Sequence, residues 1–282
     1  MKKVLIFGSS GMLGSYLCNL LEEKYPEFKV IRNDKAEGGI DITDEQQVRE
    51  MVFETKADYV VNCAAFTDVN AAEDNPEIAF KVNADAPEYM AKVCKEQDIP
   101  FLHISTDYVF GDNKEDGYME DHSEFNPLNV YGVSKLDGEQ RVLQTGGKNY
   151  ILRTSWLFGP GATNFIEKIS KYAKELPVLK VVTDEVGCPT YVKDLSEAMI
   201  LALKEKIDPG IYHVCSRDSL SRYEFAQEIL RLQEIETTII EAKLADFDRK
   251  AQVPNISILV NTRLDEARTS TEMLEEYFSG SK

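Results

Sequence analysis

Val4-Leu5-Ile6-Phe7 is a run of apolar residues with no polar alternation, the pattern of a central parallel strand covered on both faces. Leu13, Leu17, Leu20 and Leu21 then recur with a helical period. Between the two patterns lies only Gly8-Ser9-Ser10-Gly11-Met12-Leu13-Gly14. Strand, glycine turn and helix in immediate succession are the setting in which a glycine pattern binds phosphate. The glycines let backbone approach a pyrophosphate, and the helix N-terminus offers free amide donors and a positive dipole end.

Further strands are predicted around residues 29–32, 59–65, 101–104 and 151–156. One helix should start near Thr43 or Asp44, and another at Asn75-Pro76, with cap and first-turn chemistry. After position 153 the pattern changes to an amphipathic helix over residues 164–176, a strand over 178–183 and a helix over Val192–Leu203. Ser221 and Glu224 form a capping-box start for a helix over 223–232. Together these segments predict an α/β protein with a doubly wound, Rossmann-type parallel sheet and a smaller, interleaved α/β substrate-binding domain. Residues 1–153, rejoined by about 183–208, are assigned to the dinucleotide-binding domain, and 154–282 mainly to the substrate domain.

Within this frame, Asn129-Val130-Tyr131-Gly132-Val133-Ser134-Lys135 sets a phenol and an ammonium on one face of a helix. Tyr25 and Lys29 repeat the spacing, but Pro26 argues for a helix boundary there. Thr106 follows the 101–104 strand, where hydroxyls of an open α/β sheet point into the ligand crevice, so it is a candidate partner for Tyr131. A turn hydroxyl serving only backbone is the alternative. Cys63, Ala64 and Ala65 end the third strand with small side chains that leave room for a ligand across the sheet.

Gly8, Ser10, Gly11, Met12, Leu13 and Gly14 are the expected cofactor contacts of the turn. Asp34 stands where an acid can hold a ribose 2′-hydroxyl, whereas Arg32 and Lys35 could accommodate a 2′-phosphate, so NADPH and NADH both remain open. Asp41 and Ile42 could reach the adenine edge, although a turn or cap role suits Asp41 equally. Asn83 is read as a polar tie between two elements.

The net charge of −17 over 282 residues argues against nucleic-acid or anionic-membrane partners. An anionic small substrate then needs a local concentration of Arg or Lys. Five scattered cysteines without a CxxC suggest neither a disulfide framework nor a zinc site. The apolar run after Met1-Lys2-Lys3 is too short for a signal core or a membrane span, and a cytoplasmic protein is expected, with a homo-oligomer compatible.

These stretches resemble the extended short-chain dehydrogenase/reductase superfamily and, within it, the dTDP-4-dehydrorhamnose reductase family. The likeness is carried by Gly8, Gly11 and Gly14, by Val61-Asn62-Cys63-Ala64-Ala65, and by Ser105-Thr106-Asp107-Tyr108-Val109-Phe110. It continues through Pro127-Leu128-Asn129-Val130-Tyr131-Gly132 with Lys135, Arg153-Thr154-Ser155-Trp156, Asn164-Phe165 and the stretch 184–190. The resemblance implies hydride transfer from NADPH or NADH to the C4 ketone of a nucleotide-linked 4-keto-6-deoxy sugar. Tyr131 would protonate the oxygen, with Lys135 lowering the phenol pKa from about 10 and holding the nicotinamide ribose. Thr106 would orient the ketone, and Asp107, Val109 and Trp156 would contact the sugar nucleotide. Tyr108 stands where related dehydratases carry the glutamate used for elimination, which favours net reduction.

Two departures matter. Glu185 replaces a usual glutamine, and Val253 stands before Pro254 where the family has a phosphate-binding arginine. The latter opens the alternative of a related oxidoreductase or epimerase on another sugar nucleotide. The likeness extends also to the regulatory subunit of methionine adenosyltransferase, a non-catalytic NADP-binding alternative that keeps a Tyr/Lys pair.

Overall fold

The computed structural model describes residues 1–265 and 267–280. At its centre lie six strands, β1 (Lys2–Phe7), β2 (Phe28–Asn33), β3 (Tyr59–Asn62), β4 (Phe101–Thr106), β5 (Asn149–Thr154) and β6 (Gly210–His213). They run in the order β6-β5-β4-β3-β1-β2 with every pairing parallel. Successive residues of a strand face opposite sides of the sheet, and β1 is apolar on both. Val4 and Ile6 pack beneath helices Met12–Lys24 and Val192–Leu203, while Leu5 and Phe7 pack beneath Glu45–Thr55 and Ala86–Glu96. The chain steps outward from β1 to β2 and then crosses back to β3. Strand order therefore reverses beside β1, and ligands of such sheets bind in the crevice at that point.

The third strand is shorter than its apolar run. The Asn62 side-chain oxygen accepts from the Ala64 N–H at 3.0 Å and turns the chain, so Cys63, Ala64 and Ala65 become a loop at the strand's end. The 151–156 strand likewise stops at Thr154, and Trp156 takes a left-handed φ of 45°. Asp44 caps its helix as expected, accepting from the Gln47 N–H. Asn75 corrects an expectation: Pro76 does open the helix, but the Asn75 amide donates to the Ala71 carbonyl instead of capping.

From Pro76 to Glu96 the chain winds continuously through a π-turn at Lys81–Asp85. The turn buries Asn83, whose Oδ1 accepts from the Phe66 N–H at 2.8 Å. Its Nδ2 donates to the Phe66 carbonyl (3.1 Å) and to Ser134 Oγ (3.0 Å), which is the polar tie expected of this residue.

Beyond the sheet, Val178–Val182 pairs with Thr238–Ala242 in parallel, and Val186–Gly187 pairs with Leu220–Ser221 antiparallel. Helices Phe165–Glu175 and Arg222–Leu232 pack together beside them, and the Ser221–Glu224 capping box is formed. Among the described residues no helix is long and apolar enough to cross a membrane.

Candidate active site

A cleft of about 740 Å³ opens over the carboxyl ends of β1, β3 and β4. Gly8, Ser10, Gly11, Met12 and Leu13 reach it from the first turn, and Cys63, Ala64 and Ala65 from the loop after β3. Gly8 has a φ of +73°, and a Cβ there would stand 2.6 Å from the Ala64 nitrogen. Gly14 does not line the cleft but supports it: a Cβ would meet the Gly8 carbonyl oxygen at 2.1 Å, so only glycine lets the helix sit against the turn. No side chain caps this helix at Gly11, which leaves its first amides for an anion. The donor set and the glycine cradle thus fit a dinucleotide pyrophosphate.

Asp34 lies on the same cleft, its carboxylate accepting from the N–H groups of Ser10 (3.3 Å) and Ala36 (2.9 Å). Arg32 is bound to Glu22 and Asn19. Lys35, Asp41 and Ile42 line an adjoining hollow with Gly8 and Ala64, and Asp41 there accepts from Lys35 and from both the N–H and the hydroxyl of Thr43. The turn role read for Asp41 is therefore present, at the rim of the hollow.

Tyr131 and Lys135 share helix Val130–Gln144, which starts where Asn129 Oδ1 accepts from the Gly132 N–H at 2.8 Å. Both face the cleft with Thr106 and Asp107. Thr106 Oγ1 accepts from the Tyr108 N–H (3.2 Å) and donates to Asp107 Oδ1 (3.0 Å), while Ser155 Oγ donates to Asp107 Oδ2 (3.1 Å). Burial raises the Asp107 carboxyl to about 6 against these hydroxyls, which pull the other way. Burial also pushes the Tyr131 phenol up to about 12, with a Thr106 hydrogen bond acting in the opposite direction.

Lys135 Nζ donates to the Ile104 carbonyl at 2.6 Å, and its own pKa is lowered by burial to about 8. Val109 differs from its expected role, since its side chain packs into the core with Phe110, Tyr118 and Leu259.

Trp156 borders the cleft, and the Arg222 guanidinium lies 3.5 Å from its ring centroid. Arg222 also lines a second cavity of about 350 Å³, shared with Tyr108 and carrying Lys168, Lys180, Glu185 and Arg249. Glu185 is buried there, 2.9 Å from Arg222 and 3.4 Å from Arg249. Four cations face a single carboxylate, in a chain whose net charge is −17. Val253 lines neither cavity; Arg249, four positions earlier, stands in the second.

The family model described as RmlD substrate binding domain matches residues 1–277. The chain belongs to the dTDP-4-dehydrorhamnose reductase family. The spore coat polysaccharide biosynthesis protein SpsK of Bacillus subtilis is 37% identical over 281 residues, covering 98% of this chain and 97% of that protein. A dTDP-4-dehydrorhamnose reductase structure from Clostridium acetobutylicum superposes with a TM-score of 0.93 at 34% identity, covering 99% of both chains. One from Bacillus anthracis, in complex with NADP, gives a TM-score of 0.93 at 33% identity over 99% of this chain and 100% of that one.

Arg222 of this cleft, Arg249 of the cavity beside it and the buried pair Asn62–His103 were not foreseen from the sequence. Arg222 directly follows the Ser221 cap and carries no motif of its own. Arg249 lies in a polar stretch without periodicity. Asn62 and His103 read only as polar residues inside apolar strands, which is itself a signal, because a buried polar group needs a partner.

Proposed function

We propose that this protein reduces the C4 ketone of dTDP-4-dehydrorhamnose, or of a closely similar nucleotide-linked 4-keto-6-deoxy sugar, with NADPH or NADH. The observation that carries the reading is the convergence of Thr106, Tyr131 and Lys135 on a cleft whose other side is a glycine cradle. The bound nicotinamide supplies the hydride. Tyr131 stays protonated at neutral pH and donates its proton to the ketone oxygen as charge develops there. Thr106, whose hydrogen bond acts to lower the Tyr131 phenol pKa, stands beside that phenol and orients the ketone. Lys135 holds the nicotinamide ribose, and Asp34 holds the adenine ribose.

Trp156, backed by Arg222, offers the sugar an apolar face, and the cavity beyond it takes the diphosphate. Arg222 and Arg249, with Lys168 and Lys180, do there what the family's arginine does at the position of Val253. Residues 1–153 and about 183–208 serve the dinucleotide, and 154–282 mainly the sugar nucleotide.

The test is oxidation of NADPH and NADH on addition of dTDP-, UDP- and GDP-linked ketosugars. Consumption only with the dTDP sugar supports the reading. Preference for another nucleotide would transfer the activity to that substrate, and turnover with none would leave a binding role.

A further inference from the structure

A buried imidazole that the reaction does not use touches the lysine that it does. His103 lies on β4, beside Asn62 of β3 in the sheet register, and both are shielded from solvent. Asn62 Oδ1 accepts from the Ala64 N–H at 3.0 Å, which fixes the amide with its NH2 toward His103 Nδ1 at 3.2 Å. Nδ1 is thereby the acceptor, and the ring proton sits on Nε2. Burial and the neighbouring Lys135 hold His103 well below the usual imidazole pKa, so the ring is neutral. Its Nε2–H faces Lys135 Nζ at 3.5 Å. A donor facing an ammonium satisfies nothing, and the Ile104 carbonyl at 2.6 Å is left as the protein acceptor for that group.

We propose that the Asn62–His103 pair is a positioning device that denies the Lys135 ammonium a second acceptor. Binding of the dinucleotide ribose then completes the hydrogen bonding of Lys135 and takes up a proton there. This rests on the reading that a dinucleotide occupies the cleft.

The surrounding groups leave Lys135 alone in its titration range. His103 is neutral throughout, Asp107 titrates at about 6 and Tyr131 at about 12, and burial pushes the Cys63 thiol up. Glu139, on the lysine's own helix, is tied to Arg153 of β5. Asp85 and Glu88, on the helix packed alongside, are held by Arg141. Free Lys135 titrates at about 8, so uptake appears above that pH.

Titration calorimetry of NADPH binding, in buffers of different ionisation enthalpy, reads this directly. Uptake should be near zero around pH 6.5 and approach one proton per chain around pH 9, and affinity should fall about tenfold per pH unit above 8. Lys135→Met should abolish the uptake. His103→Asn keeps an acceptor for Asn62 but removes the N–H facing the lysine, so the onset should move up by about one pH unit.

Absence of uptake in the wild-type protein overturns the coupling, and an unchanged onset in a folded His103→Asn protein overturns the role of His103. If that variant does not fold, His103→Gln replaces it, read against the same wild-type uptake. Failure of NADPH and NADH to bind near pH 7 would remove the dinucleotide reading and this proposal with it.

Discussion

The cleft over the sheet and the cationic cavity beside it share Tyr108 and Arg222, yet they are built on opposite principles. In the cleft, polar groups are buried and bound to one another: Thr106 to Asp107, Asp107 to Ser155, Lys135 to Ile104. Their positions follow from strand ends and one helix. In the cavity, Lys168, Lys180, Arg222 and Arg249 come from four separate segments, and the two arginines are held by charge at Glu185. Chemistry needs fixed geometry, whereas gripping an anion needs net charge and tolerates a change in which residue supplies it.

The sharpest way to break this contrast is Tyr131→Phe, which should cut turnover by about 10²–10⁴-fold while NADPH binding is retained. Turnover within a few-fold of the parent would remove the phenol from the proton-transfer step.

Lys135 carries the next largest effect, as stability. Its folded pKa of about 8 lies below the usual 10.5, so the unfolded chain binds more protons between these values and stability rises as pH climbs from about 8 to 10.5. The full swing is about 3 kcal/mol. Denaturant titrations of Lys135→Met should lack that rise, and an identical pH profile would contradict it.

In the cavity, Arg249→Ala and Arg222→Ala should each raise KM for the sugar nucleotide about 10–100-fold, the worth of a charged hydrogen bond, with kcat changed far less for Arg249. An equal loss in kcat from Arg249→Ala would mean that the two regions are not separable. The smallest effect on KM is expected from Glu185→Gln, which frees both arginines and should lower KM by about 2–5-fold, with a loss of stability because the carboxylate is buried between them. A rise in KM would mean that the carboxylate is needed to aim them.

The same contrast explains what could be read from the chain before its structure. β1, the glycine turn and the Tyr131 helix were visible because each is a local pattern: an apolar run, a strand-turn-helix junction, a shared face. The order of local segments along the chain then implied the doubly wound sheet. Strand β6 escaped because Gly210-Ile211-Tyr212-His213 has neither alternation nor length. Arg249 escaped because its role depends on Glu185 and Arg222, which only folding brings near. The bond from Lys135 to the Ile104 carbonyl was not legible either, because it depends on how the helix packs against β4.

The π-turn at Lys81–Asp85 gives the site one dimension in which it cannot drift. Asn83 is aimed by an additional residue in the turn, and Gly138 of helix Val130–Gln144 is so close that a Cβ would lie 2.1 Å from the Asn83 carbonyl oxygen. Removing one residue there would rotate everything downstream by about 100° and carry the amide away from Phe66 and Ser134. Exchange of one cation in the cavity should therefore cost far less than a one-residue insertion or deletion along this helix, which would unseat Asn83 and its contacts together.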